Sequence, residues 1–78
     1  MDVTISKTAD SKVLHKAINY LDNKFPTYKK SIEAENGGDA YVVVYKKDNK
    51  IIRLVNDTFV DANWIESNFD FEVPKFEE

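Results

Sequence analysis

The side chains that could do chemistry in this chain are few. The single histidine, His15, stands beside Leu14, and the sequence has no cysteine. A lone imidazole cannot complete a zinc site, which draws three or four protein ligands, nor a nucleophile–base pair, which needs a thiol or hydroxyl held against it. Asp61 with Glu66, and Asp70 with Glu72, have the residue types for general acid–base work. That chemistry requires a carboxyl group held in a cleft that tunes its proton affinity, and spacing alone places none of the four there. Gly37-Gly38 lacks the downstream glycine or lysine of a phosphate-binding loop. Asn56-Asp57-Thr58 fits the glycosylation sequon, but no secretory signal accompanies it. The expectation is a chain that is not an enzyme and uses no cofactor or metal.

What remains is binding chemistry, and it concentrates in the last third. Trp64, Phe69, Phe71 and Phe76 are interleaved with Asp61, Glu66, Asp70, Glu72 and the terminal Glu77-Glu78. Residues 57–78 hold seven Asp/Glu against Lys75, a balance of −6, whereas residues 1–56 hold ten Lys/Arg against seven Asp/Glu, a balance of +3. Aromatic anchors rimmed by charge are material for a protein interface, with the carboxylates steering a partner of opposite sign. The expected partner-binding residues are Asp61, Trp64, Glu66, Asp70, Glu72, Phe76 and Glu77. The expected partner is another protein with a basic surface. The competing reading is that these aromatics only extend the core, because a chain of 78 residues buries about 60% of its unfolded surface and has little core material to spare. Phe76, beyond Pro74, fits that second role least.

The elements that must position these residues centre on Ile32–Val55, which reads as two consecutive β-hairpins. Tyr41-Val42-Val43-Val44-Tyr45 is the densest β-branched and aromatic run and supplies the middle strand. Asn36-Gly37-Gly38-Asp39 and Lys47-Asp48-Asn49-Lys50 punctuate it. A two-residue turn at Asp48-Asn49 sets Lys47 opposite Lys50, Tyr45 opposite Ile52 and Val43 opposite Leu54. A four-residue loop at Asn36–Asp39 sets Ala34 opposite Tyr41 and Ile32 opposite Val43. Both choices gather Ile32, Ala34, Tyr41, Val43, Tyr45, Ile52 and Leu54 on one face. The reverse face carries Val42, Val44, Ile51 and Val55, an apolar patch that calls for a cover, either the Phe69–Val73 segment or a second copy of the chain.

Upstream, Val13, Leu14, Ala17, Ile18 and Leu21 recur at helical spacing, with Thr8 as the expected N-cap and Asp10 in the first turn. Pro26 ends that helix near Lys24 by pushing Phe25 out of the α region. Residues 1–7 offer a short edge strand through Val3 and Ile5, or no structure. Downstream, Val60–Asn68 reads as a short second helix capped by Asp61, and Phe69–Val73 alternates like an edge strand stopped by Pro74. The expected fold is a single α+β domain over residues 1–78. It has one long N-terminal helix on a three-stranded antiparallel sheet, in α-β-β-β-α order, then a short second helix and an acidic, aromatic tail or edge strand.

Helix, three antiparallel strands, helix is the element order of the double-stranded RNA-binding domain, and the chain resembles that family in this respect. The family's lysine cluster opens its second helix and grips phosphates across the major groove. Here the matching stretch is Asp57-Thr58-Phe59-Val60-Asp61, acidic where the family is basic. Nucleic acid is therefore the alternative partner rather than the expected one, with Lys29-Lys30 and Lys46-Lys47 as its basic spots. A homodimer through the reverse sheet face is the other alternative.

The start Met1-Asp2-Val3-Thr4-Ile5 has no charged segment leading into an apolar run, and no stretch approaches the roughly 20 apolar residues of a membrane span. A cytoplasmic protein is expected. Ten lysines to one arginine, with seven asparagines, suggest coding biased toward A and T. Together these features suggest a small adaptor or inhibitor, of the kind found among phage accessory and counter-defence proteins.

Overall fold

The two hairpins form in the register that their turns dictate. The structure is a computed structural model that describes residues 1–76. In it β1 (Asp2–Ser6) is followed by α1 (Ser11–Lys24), β2 (Lys29–Glu35), β3 (Ala40–Lys47), β4 (Lys50–Asp57) and β5 (Ala62–Ser67). Lys47 faces Lys50, Tyr45 faces Ile52 and Val43 faces Leu54 across β3 and β4. Ala34 faces Tyr41 and Ile32 faces Val43 across β2 and β3. A short 3-10 turn at Asn36–Gly38 closes the first hairpin with positive φ at Asn36, Gly37 and Gly38, which explains the two glycines.

The sheet has five strands rather than the expected three, all antiparallel, in the order β1-β5-β4-β3-β2. Residues 62–67 form β5 in place of the second helix. Two turns of helix cannot stand without tertiary support, whereas the bare edge of β4 offers this segment a complete hydrogen-bonding ladder. Asn63 and Ile65 then face α1, while Trp64 and Glu66 take the reverse face. Asp61 is not a helix cap; with φ at 62° it closes the β4–β5 hairpin. Residues 2–6 take the edge-strand option and pair with β5. The loss of the second helix also removes the element order shared with the double-stranded RNA-binding domain.

α1 begins two residues later than Thr8 would set it. Asp10 is the cap, its carboxylate accepting the Lys12 N–H at 2.8 Å. The helix ends at Lys24, with Phe25 as its C-cap before Pro26. Val13, Leu14, Ala17 and Leu21 pack against Ile5, Val43, Tyr45, Ile52, Leu54 and Ile65. With five strands the middle of the sheet is β4 rather than β3, and the helix leaves the far side of β2 uncovered. Ile32 and Tyr41, expected beneath the helix, are exposed there.

The segment after β5 forms no strand. Residues 68–76 run irregularly on the helix side, where Phe69, Phe71 and Val73 pack onto the core and Phe76 enters it. Phe25 gathers them: its ring lies 6.1 Å from Phe69 and 5.0 Å from Phe71, both edge-on, and 4.9 Å from Tyr28. The Tyr20 hydroxyl donates to the Glu72 carbonyl at 2.6 Å and straps the segment to α1. These aromatics had a better use than a strand: the helix covers only part of the sheet, and large rings fill the remainder.

The reverse face is not covered by this segment, and Ile51 on it stays 37% exposed. Val42, Val44 and Val55 are buried with Ala40 beneath side chains of the same face, Trp64 among them. Arg53 on β4 reaches across β3 to Glu35 on β2 at 2.6 Å and also holds Glu66 on β5 at 2.5 Å. Glu66 in turn accepts the Trp64 indole N–H at 2.8 Å. The aliphatic stem of Arg53 and the indole thus roof the valines while their polar ends pair at the surface.

Candidate functional site

The residues expected to meet a partner are scattered by the fold. Phe76 is only 8% exposed, its ring set edge-on to Tyr20 at 5.7 Å, so its expected role as an exposed anchor is replaced by a core role. Trp64 and Glu66 belong to the roof over the reverse-face valines. Asp70 and Glu72 are exposed on the segment beside α1. Asp61 lies at the opposite end of the sheet from Asn68, at the β4–β5 turn. Glu77 lies outside the described residues. No common surface joins the set.

A different pair is brought to prominence. Phe59 and Val60, at the tip of the β4–β5 hairpin, are 82% and 61% exposed. They stand on a turn that is pinned from several sides. Asp57, buried at the end of β4, accepts the N–H groups of Phe59 at 2.9 Å and Val60 at 3.0 Å. The Asp61 N–H returns to the Asp57 carbonyl at 2.8 Å. Thr58 donates both its N–H, at 2.9 Å, and its hydroxyl, at 3.1 Å, to the Asp39 carbonyl in the neighbouring turn. The Asp61 carboxylate accepts the Ala9 N–H at 2.8 Å, which ties the tip to the start of α1. Apolar side chains held in water by an ordered backbone have already lost much of the entropy that docking would cost.

Beneath this end lies a buried polar chain. The Asn56 side-chain amide donates to Asn63 Oδ1 at 2.7 Å, and Asn63 Nδ2 donates to the Ser6 hydroxyl at 2.9 Å and the Asp10 backbone carbonyl at 2.8 Å. The Ser6 hydroxyl in turn donates to the Thr8 carbonyl at 2.6 Å. Every buried side-chain polar atom among the described residues has a partner, so this chain rigidifies the base of the tip instead of offering a vacancy for a ligand.

Charge is arranged along the strands and not simply by position in sequence. Asp10, Glu35, Asp39, Asp57 and Asp61 gather at the tip end, with Lys7 and Lys12 nearby. Lys29 faces Lys46, and Lys47 faces Lys50, at the other end. There Asp22 accepts both the Tyr45 hydroxyl at 2.8 Å and the Lys30 ammonium at 3.0 Å. Burial, reinforced by that carboxylate, pushes the Tyr45 phenol well above its ordinary value. The Arg53 guanidinium is likewise held charged, chiefly by its hydrogen bond to Glu35.

His15 is exposed on α1. No group of three or more His, Asp or Glu side chains among the described residues is placed to hold a metal ion. No described helix is long and apolar enough to cross a membrane. No protein-family model, curated protein or solved structure matches the chain.

Sequence reasoning passed over Phe59 because its neighbourhood was read as the start of a helix. The signal was present in Asp57-Thr58-Phe59-Val60-Asp61 itself. Asp and Thr are turn formers whose side chains bond their own backbone, and between two strands they leave the central apolar pair outside the sheet.

Proposed function

We propose that this chain is a non-enzymatic protein-binding module, an adaptor or inhibitor, that docks through the β4–β5 tip. Phe59 and Val60 enter an apolar pocket on the partner, and the carboxylates of Asp39 and Asp61 meet a basic rim around it. The observation that carries this reading is the exposure of Phe59 on a turn held by hydrogen bonds. Aromatic side chains dominate the binding energy of many protein interfaces, and a pre-ordered backbone lowers the cost of using one. Asp70 and Glu72 add long-range steering toward the same basic partner without touching it. An accessory protein of the phage type, which the composition suggests, would act in this way by occupying a surface its target needs.

The test is paired affinity capture from the native host with the parent chain and a Phe59→Ser/Val60→Ser variant. The substitutions lie outside every strand and leave Asp57 in place, so folding should be unchanged. A protein retained by the parent and lost by the variant supports the reading; identical captures reject it.

A second reading, binding of a polyanion such as nucleic acid, is favoured by the lysines facing each other at the opposite end of the sheet. It predicts binding that weakens steeply with salt and is indifferent to Phe59.

A further inference from the structure

The outer edge of β2 is covered by nothing among the described residues. Its seven residues pair with β3 in unbroken register, and six of the seven are exposed. The opposite edge of the sheet is treated differently. β1 breaks register between Thr4 and Ser6, and residues 73–76 lie beside it, lining one groove with Val3, Thr4 and Ile5. A bulge and a covering segment are two ways of keeping an edge from pairing. β2 has neither, nor a proline.

We propose that β2 is a self-pairing edge: two copies of the chain join antiparallel through Lys29–Glu35 about a two-fold axis at Ile32, making one continuous sheet. Residues directly opposed in a sheet share a face, so a two-fold antiparallel pair must be centred on a residue rather than between two. Only Ile32 as the centre engages the whole strand. Lys29 then lies opposite Glu35 of the second copy, Lys30 opposite Ala34, and Ser31 opposite Glu33.

The strand is basic where it begins and acidic where it ends, and this pairing converts that polarity into attraction at both of its ends. The one like-charge approach, Glu33 to its own copy, is diagonal, and each Glu33 is also diagonal to a Lys29 of the other chain. Centring on Glu33 instead would set like charges directly opposed. Centring on Ser31 would pair Lys29 with Glu33 but leave Glu35 beyond the strand.

The apolar contact falls in the same place. Ile32 is 57% exposed on the side that α1 leaves uncovered, and at the axis it meets its own copy. Ala34 and Tyr41 continue the patch on either chain. Backbone hydrogen bonds supply the affinity of strand addition, and the side-chain pattern supplies its choice of partner. This surface is separate from the β4–β5 tip, and the proposal stands whether or not the tip docks.

Sedimentation velocity across a concentration series at physiological salt tests it. The parent should show a monomer–dimer equilibrium, and Ile32→Lys should leave monomer alone with an unchanged far-ultraviolet spectrum. Lys29→Glu and Glu35→Lys should each weaken self-association by about tenfold, since each sets like charges opposite one another at two places. Mixed, the two variants should form a heterodimer with the affinity of the parent, because every opposed pair is again Lys with Glu. Glu35 also holds Arg53 at 2.6 Å, so Glu35→Lys is compared only at matched far-ultraviolet spectrum and melting, and Lys29→Glu, which leaves that ion pair intact, carries the charge test by itself where they differ. A parent that stays monomeric at every concentration overturns the proposal. So does a dimer indifferent to Ile32→Lys, or reversals that do not complement each other.

Discussion

Asp57 Oδ1 accepts the backbone N–H of Phe59 at 2.9 Å, so the most exposed aromatic ring in the chain is held by a carboxylate that is only 3% exposed. The same oxygen takes the N–H of Val60. Asp57→Ala removes both hydrogen bonds and should cost about 1–3 kcal/mol of stability, the usual penalty for stranding partly buried donors. Hydrogen exchange should localise the loosening to the β4–β5 turn. Unchanged stability with unchanged protection at residues 59 and 60 would mean that the turn is held by other contacts.

Phe76→Ala should destabilise the protein substantially. The ring fills the space between Tyr20 and the helix-side core, and loss of a buried Phe costs roughly 3–5 kcal/mol. Denaturant unfolding measures it. A melting transition within a degree or two of the parent would place Phe76 back on the surface.

The contrast between Phe76 and the hairpins shows what the sequence could reveal. The register of β2, β3 and β4 was legible because turn chemistry and alternation are local and agree with each other. The place of Phe76 was not, because it depends on how much of the sheet one helix can cover, which follows from the number of strands. That number turned on residues 62–67, where Trp64 and Ile65 suit a helix or a strand equally well and the open edge of β4 decides. The tip was hidden by the same misreading. Arg53 also escaped notice: a lone arginine on an apolar face gives no sign in sequence that it reaches over a neighbouring strand to roof three valines.

Arg53→Ser should therefore destabilise more than Glu35→Gln or Glu66→Gln. The neutral amides weaken ion pairs that are partly screened by solvent, whereas the serine also strips cover from Val42, Val44 and Val55. Arg53→Met, which keeps most of the stem, should retain most of the stability. Equal losses for Arg53→Ser and Arg53→Met would show that charge and not cover is what matters.

The buried Tyr45 phenol gives stability a specific alkaline limit. Its folded pKa is raised by burial and by Asp22, so the native state keeps a proton that the unfolded chain gives up above the ordinary tyrosine value of about 10. Its contribution is present below that value and is lost as pH rises beyond it, at up to about 1.4 kcal/mol per pH unit. Tyr45→Phe should reduce the steepness of that fall between roughly pH 10 and pH 11.5. A parent and variant with parallel stability curves across this range would show that Tyr45 ionises as freely in the folded protein as in the unfolded chain.

Site-specific photocrosslinking tests the central claim most directly. A benzophenone side chain placed at position 59 occupies the tip itself, and the same group at position 15, on the exposed side of α1, serves as the control. In host extract, irradiation should yield one discrete protein adduct from position 59 and none of that mass from position 15. High salt during binding should diminish the adduct, because the Asp39 and Asp61 rim no longer steers the encounter. Adducts of equal yield from both positions, or a discrete adduct only when the group is moved to position 70 or 72, would contradict docking through the tip.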